Sequence, residues 1–294
     1  MSDSPRLFCF GLGLSATVLA RRLHGQGWRV AGTHRSADGV AEAAALGIEA
    51  YQFGPDHPLD DASAALSDTT HVVSSIPPSE TGDPVIDIHR DDLVAFGSLR
   101  WIGYLSATSV YGDRDGALVS EADSLVPVST RARKRAHAES LWLELWQRDG
   151  LPVHLFRLAG IYGPGRSALD QVRAGRARRI DKPNHKFSRI HVDDIATALV
   201  ASIAASNPGA IYNLCDDEPA PSAEVTAYAC ELLGVDPPPL MPFDEAVKEM
   251  SPMAREFWAD SRQISNRRMH EDLGITLRYP TYREGLRAIL AASG

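Results

Sequence analysis

Close to the N-terminus the chain sets glycine at 11 and 13 and alanine at 16, in the run Gly11-Leu12-Gly13-Leu14-Ser15-Ala16. An apolar run, 6–10, precedes it, and Val18, Leu19, Arg22 and Leu23 follow at helical spacing. In that setting Gly11 permits a tight turn, Gly13 lets the backbone approach a ligand, and Ala16 lets helix and strand pack closely. Leu14 and Ser15 complete the loop, and the helix opening behind it aims free N–H groups and a positive dipole end at whatever sits there. The chemistry this suits is the pyrophosphate of a dinucleotide. The bland alternative is a structural glycine turn.

The end of the second strand selects among dinucleotides. An NAD(H) site calls for an acid about 20 residues on, to hold the ribose 2′-hydroxyl. Here the chain reads Thr33-His34-Arg35-Ser36, without an acid. Arg35 can pair with a 2′-phosphate and Ser36 can donate to it, so NADP(H) is expected over NAD(H). The alternative for Arg35 is a solvated side chain. Ser74-Ser75-Ile76-Pro77-Pro78 closes another strand. Ser75 and Ile76 are expected beside the adenosine half, the alternative being an ordinary proline-terminated strand.

These residues need a scaffold of strands alternating with helices. Strands are expected at 6–10, 28–33, 48–53, 71–76, 101–105 and 153–158, and helices at 16–26, 37–46, 61–66, 85–96 and 130–148. That alternation predicts an α/β fold, a doubly wound parallel (Rossmann) sheet. Beyond Gly160 the pattern loosens: helices at 195–205, 225–233 and 282–292, a short strand at 210–214, and proline-marked loops at 219–221 and 237–239. The expected division is a dinucleotide-binding domain over 1–160, with 187–214 returning to it. A smaller C-terminal substrate lobe takes 161–186 and 215–294.

Of the 294 residues 44% are apolar, enough for a sizeable core, and no apolar run approaches the roughly 20 residues of a membrane-spanning helix. A net charge of −8 argues against a general nucleic-acid binder. Three cysteines without CxxC spacing suggest reduced thiols in a cytoplasm, and no metal constellation is visible.

Several segments besides the N-terminal loop occur together and in order. They are Leu105-Ser106-Ala107-Thr108-Ser109-Val110-Tyr111-Gly112-Asp113, Arg157-Leu158-Ala159-Gly160-Ile161-Tyr162-Gly163-Pro164-Gly165-Arg166, Ser188-Arg189-Ile190-His191-Val192-Asp193-Asp194, and Tyr212-Asn213-Leu214. In this the chain resembles the extended short-chain dehydrogenase/reductases, specifically the NAD(P)-dependent epimerase/dehydratase branch. The resemblance implies hydride transfer between a nicotinamide and an oxygen-bearing carbon. It also implies Leu158, Gly160 and Ile161 near the nicotinamide, and a homodimer through long helices.

The resemblance breaks at the proton-transfer machinery. The family carries Ser or Thr four residues before the VYG tyrosine; here that is Ala107, with Thr108 and Ser109 beside it. The family's Tyr-x-x-x-Lys pair, aligned through Glu139, falls on Arg131 and Arg135. Arginine is no ordinary proton donor, its pKa exceeding about 12. Arg135 can replace Lys as a ribose contact, and Arg131 can bind an anionic group or polarise a carbonyl. Thr108 is the first candidate for a substrate-contacting hydroxyl, Ser109 the second, and Tyr111 a candidate proton donor; His137 and Tyr162 are weaker. Arg166 and Arg189 are expected to meet an anionic substrate, or else to form loop salt bridges. Two functions stay open: an NADP(H)-dependent enzyme acting on a small carbonyl compound or (nucleotide-)sugar, and a non-catalytic NADP(H)-binding redox sensor or partner-binding protein.

Overall fold

The computed structural model describes residues 4–293. Strands are β1 (Arg6–Phe10), β2 (Arg29–His34), β3 (Glu49–Gln52), β4 (His71–Ser74), β5 (Trp101–Ala107), β6 (Leu118–Val119), β7 (Val153–Leu158), β8 (Gly160–Tyr162), β9 (Arg179–Asp181), β10 (Arg189–His191), β11 (Ile211–Leu214), β12 (Leu240–Pro242) and β13 (Gln263–Ile264). Helices are α1 (Leu14–Gly25), α2 (Ala37–Ala45), α3 (Ala62–Leu66), α4 (Pro84–Ala95), α5 (Thr130–Asp149), α6 (Ala168–Arg173), α7 (Val192–Ala204), α8 (Ser222–Leu233), α9 (Phe243–Ala246), α10 (Pro252–Ala259), α11 (Arg267–Leu273) and α12 (Tyr282–Ala291).

Seven strands form one parallel sheet in the order β11-β7-β5-β4-β1-β2-β3. Its strands read as nearly unbroken apolar runs because both faces are covered by helices. All of β1, β4 and β7 is buried. Phe8, Phe10, Val72, Ile102, Tyr104, Val153 and Leu155 pack with Ala138, Trp142 and Leu145 of α5 into one core. The order reverses between β1 and β4. In doubly wound sheets such a reversal opens a crevice at the strands' C-terminal ends.

The chain divides into two compact units. The first comprises Met1–Ala107, Thr130–Arg157 and Ala196–Tyr212; the second comprises Thr108–Ser129, Leu158–Ile195 and Asn213–Gly294. Residues Thr108–Ser129 thus group with the C-terminal third, although they fall inside the 1–160 stretch. The return to the sheet is made by β11, whereas β10 pairs with β8 in a separate two-stranded ladder. The second unit has two further short parallel pairs, β9–β12 and β6–β13. One of its cores gathers Tyr162, Leu169, Val225, Ala229, Tyr282, Leu286 and Ile289 from β8, α6, α8 and α12. No helix among the described residues is long and apolar enough to cross a membrane.

Candidate functional site

The loop after β1 lies where the strand order reverses. Gly11 has φ +86°, the left-handed region that favours glycine. A Cβ there would come within 2.9 Å of Ile76 Cγ1 and 3.0 Å of Ser75 Oγ. The turn is pinned from both neighbouring strands. Gly11 N–H donates to Thr33 Oγ1 (2.9 Å), Leu12 N–H to Thr33 O (2.8 Å), and Ser75 Oγ–H to Gly11 O (2.6 Å). Helix α1 begins at Leu14, two residues before the expected start, because extended Gly13 serves as its N-cap. Gly13 offers no capping side chain, and the first turn carries no acid. The α1 amides and dipole end are therefore left without an internal anion.

At the end of β2, Arg35 is exposed and its guanidinium has no partner among the described residues. Its carbonyl accepts from Gln52 Nε2 (3.1 Å). Ser36 caps α2, accepting from Gly39 N–H (3.3 Å), and its hydroxyl lies 3.2 Å from His34 Nδ1. His34 in turn lies against Gly39, where a Cβ would meet the ring at 1.9 Å. His34 and Ser36 thus brace the turn, and Arg35 is its unrestrained member.

On β5 and α5 the arginines separate. Arg131, in the first turn of α5, is exposed and without a partner among the described residues. Arg135 is half-buried, and its Nη1 donates to Tyr104 Oη (2.9 Å) and Leu105 O (3.1 Å). Glu139 is 2% exposed. It accepts from Ser106 Oγ (2.5 Å), Arg157 Nε (3.1 Å) and Arg157 Nη2 (2.8 Å). Beneath Tyr104, Asp83 caps α4 and accepts from Trp142 Nε1 (3.1 Å). Burial pushes the Asp83 carboxyl up to about 6 against these hydrogen bonds.

The second unit holds the other candidates. Thr108 and Ser109 form a 3₁₀ turn directly after β5. Thr108 is 8% exposed, and neither hydroxyl has a hydrogen-bond partner among the described residues. Tyr111, expected among the proton donors, is fully buried and donates to Asn213 Oδ1 (2.8 Å). Tyr162 is 7% exposed, and burial pushes its phenol up. His137, in the first unit, is exposed.

Leu158 is buried at the end of β7, whereas Gly160 and Ile161 are half-exposed on β8. Arg166 is exposed, and its backbone makes paired bonds to Gly163 (3.1 and 3.0 Å). Arg189 is not a surface arginine: its Nη1 donates to Phe187 O (2.8 Å) and Ala220 O (3.0 Å), and burial lowers its pKa. Beside it, Asp216 is 2% exposed and neither carboxylate oxygen has a side-chain or backbone hydrogen-bond partner within bonding distance among the described residues. Burial pushes Asp216 up to about 8, against the pull of Arg189. Asp194 fixes the segment before α12, accepting from Arg278 N–H (2.8 Å) and Tyr279 N–H (3.0 Å).

Residues 98–215 match the model of the NAD dependent epimerase/dehydratase family. Protein YeeZ of Escherichia coli K12 is 32% identical over 239 residues, covering 78% of this chain and 84% of YeeZ. A functionally unknown conserved protein from Silicibacter pomeroyi has a solved structure that is 45% identical, with TM-score 0.91, covering 98% of this chain and 99% of that one. MoeE5, solved with UDP-glucuronic acid and NAD, shares the fold at TM-score 0.78 and 19% identity, covering 99% of this chain and 100% of MoeE5. The chain belongs to the NAD dependent epimerase/dehydratase family. That is a family of nicotinamide-dinucleotide binders.

The residues that sequence reasoning passed over are Tyr104, Asp83 and Trp142. Each reads as an ordinary core or capping residue, and only the fold brings them together around Arg135.

Proposed function

We propose that this chain is an NADP(H)-dependent enzyme of the epimerase, dehydratase or reductase type, acting on a small carbonyl compound or (nucleotide-)sugar through atypical residues. The observation that carries the reading is the turn at Gly11. It is a cradle that a Cβ would fill, at the reversal of strand order, in front of an uncapped helix N-terminus. Gly11, Gly13, Leu14, Ser15 and Ala16 would hold the pyrophosphate, Ser75 and Ile76 the adenosine, and Arg35 the 2′-phosphate, with His34 and Ser36 bracing it. Leu158, Gly160 and Ile161 are assigned to the nicotinamide end. When bound, the dinucleotide supplies hydride chemistry.

The chain's own residues bind and polarise. Arg135 presents a fixed positive charge to a ribose hydroxyl. Arg131 and Arg166 are exposed cations suited to an anionic substrate group, and Arg189 orders the substrate unit from within. Thr108, with Ser109 beside it, carries an unengaged hydroxyl that can donate to a substrate oxygen. Ser106 and Tyr111 cannot share that task without breaking buried hydrogen bonds. Those engaged hydroxyls, together with Ala107, favour the second reading, a non-catalytic NADP(H)-binding protein that senses redox state or serves a partner.

The test is full-length protein with NADPH and a panel of carbonyl compounds and nucleotide-sugars. Substrate-dependent loss of NADPH absorbance, at least tenfold weaker in Thr108→Val and Arg131→Ala, supports the enzyme. Tight NADPH binding without turnover across the panel supports the second reading.

A further inference from the structure

We infer that Tyr104 is a positioning residue for Arg135: its phenol oxygen fixes one nitrogen of the guanidinium so that the remaining edge is offered, already oriented, to a dinucleotide. This rests on the dinucleotide reading above and adds a residue to it.

A guanidinium carries five N–H donors in one plane. Nη1 of Arg135 uses both of its donors on Tyr104 Oη and Leu105 O. Among the described residues Nε and Nη2 have no partner. Arginine is a long side chain with many rotamers, and two fixed bonds on one nitrogen remove most of that freedom before any ligand arrives. Ordering done in advance is not charged against binding. A lysine at the same place would be a point charge on a flexible stem, without a second edge to offer.

Tyr104 is itself immobile. It is fully buried on β5, and its ring stacks on Trp142 with centroids 5.6 Å apart and planes at 24°. Trp142 is tied by Nε1–H to Asp83 Oδ2, and Asp83 is tied to the α4 amides of Val85 (3.0 Å) and Ile86 (3.4 Å). A continuous buried path therefore runs from the α4 cap through Trp142 and Tyr104 to Arg135. The Arg135 guanidinium carbon also stands 5.7 Å from the Tyr104 ring centroid. The ring of Tyr104 satisfies packing by itself. Its hydroxyl has no partner except Arg135 among the described residues, so packing alone does not explain a tyrosine here.

Calorimetric titration of the full chain with NADPH and with 2′,5′-ADP, which lacks the nicotinamide half, tests this. Tyr104→Phe is expected to weaken NADPH binding about fivefold to tenfold, one hydrogen bond's worth, and to leave 2′,5′-ADP unchanged. In the Arg135→Ala background the same change is expected to have no further effect. An unchanged NADPH affinity, an equal loss for both ligands, or additivity with Arg135→Ala would overturn the inference while leaving the dinucleotide reading intact. Wild-type protein that binds neither ligand would overturn both. A readout without ligand or core variant guards against misfolding: ¹⁵N spectra of the free wild type should show separate, slowly exchanging Arg135 Nη signals, assigned through Arg135→Lys. Averaged Nη signals would overturn the inference.

Discussion

Each unit holds a buried acid beside an arginine, Glu139 with Arg157 and Asp216 with Arg189, and the two pairs differ in their hydrogen bonds. In the first unit Glu139 and Arg157 face each other with Nε and Nη2 both engaged, and Ser106 adds a third donor. In the second, Arg189 turns Nη1 to two backbone carbonyls, and Asp216 is left with neither oxygen in a hydrogen bond among the described residues. The amides of Arg189 and Glu218 lie near enough to lower its pKa, without outweighing burial. The ingredients match and the hydrogen-bond geometry does not. Burial disfavours the charged form of a carboxyl unless charges and hydrogen-bond donors offset it, and at Asp216 burial outweighs them. With a pKa near 8, Asp216 is protonated at neutral pH. The contrast is between these two pairs: Glu139 is held by three side-chain donors, whereas Asp216 is an acid that burial keeps from losing its proton easily.

The largest effect expected from this contrast is at Glu139. Glu139→Ala leaves Arg157 charged and buried, which costs about 3–5 kcal/mol. Urea unfolding measures it, and a loss below about 1 kcal/mol would reduce the pair to a surface-like bridge.

Asp216→Asn should act in the opposite direction. The folded carboxyl sits near 8 against 3.8 for the ordinary group. Its stabilising contribution is therefore complete below the lower value, declines through the window, and is gone above the higher one. Relative to wild type, Asp216→Asn is expected to gain about 2–3 kcal/mol between pH 5 and 7, and to level off above pH 8. Parallel stability curves for the two proteins would remove the contrast with Glu139.

A neutral bond calibrates both. Tyr111→Phe leaves Asn213 Oδ1 without its donor and should cost about 1–3 kcal/mol at any pH from 5 to 8, with no change in NADPH affinity. A lost affinity would return Tyr111 to the site.

The sheet was legible wherever parallel strands are buried on both faces. Strands β1 and β7 run over the residues their apolar runs indicate, and helix ends differ by a few residues. Most of the second unit was not legible. Strands such as β6 and β13 have two residues each, too few for any periodicity, and they exist only because a distant segment pairs with them. The loop at Gly11 could be read because its chemistry is carried by small residues adjacent in sequence. The surroundings of Arg135 could not, since Tyr104, Trp142 and Asp83 come from β5, α5 and the α4 cap. Glu139 served as a register mark on α5 and gave no sign of its partner eighteen residues on. Asp216 and Arg189 likewise meet only through the fold.

The Gly11 loop and Arg35 are proposed to hold NADP(H) together. Calorimetric titration of wild type and Arg35→Asp with NADPH and NADH tests this proposal most directly. Wild type is expected to bind NADPH at least tenfold more tightly than NADH, and Arg35→Asp to lose this preference by weakening NADPH alone. Equal affinity of the wild type for the two dinucleotides, or a preference unaffected by Arg35→Asp, would contradict it.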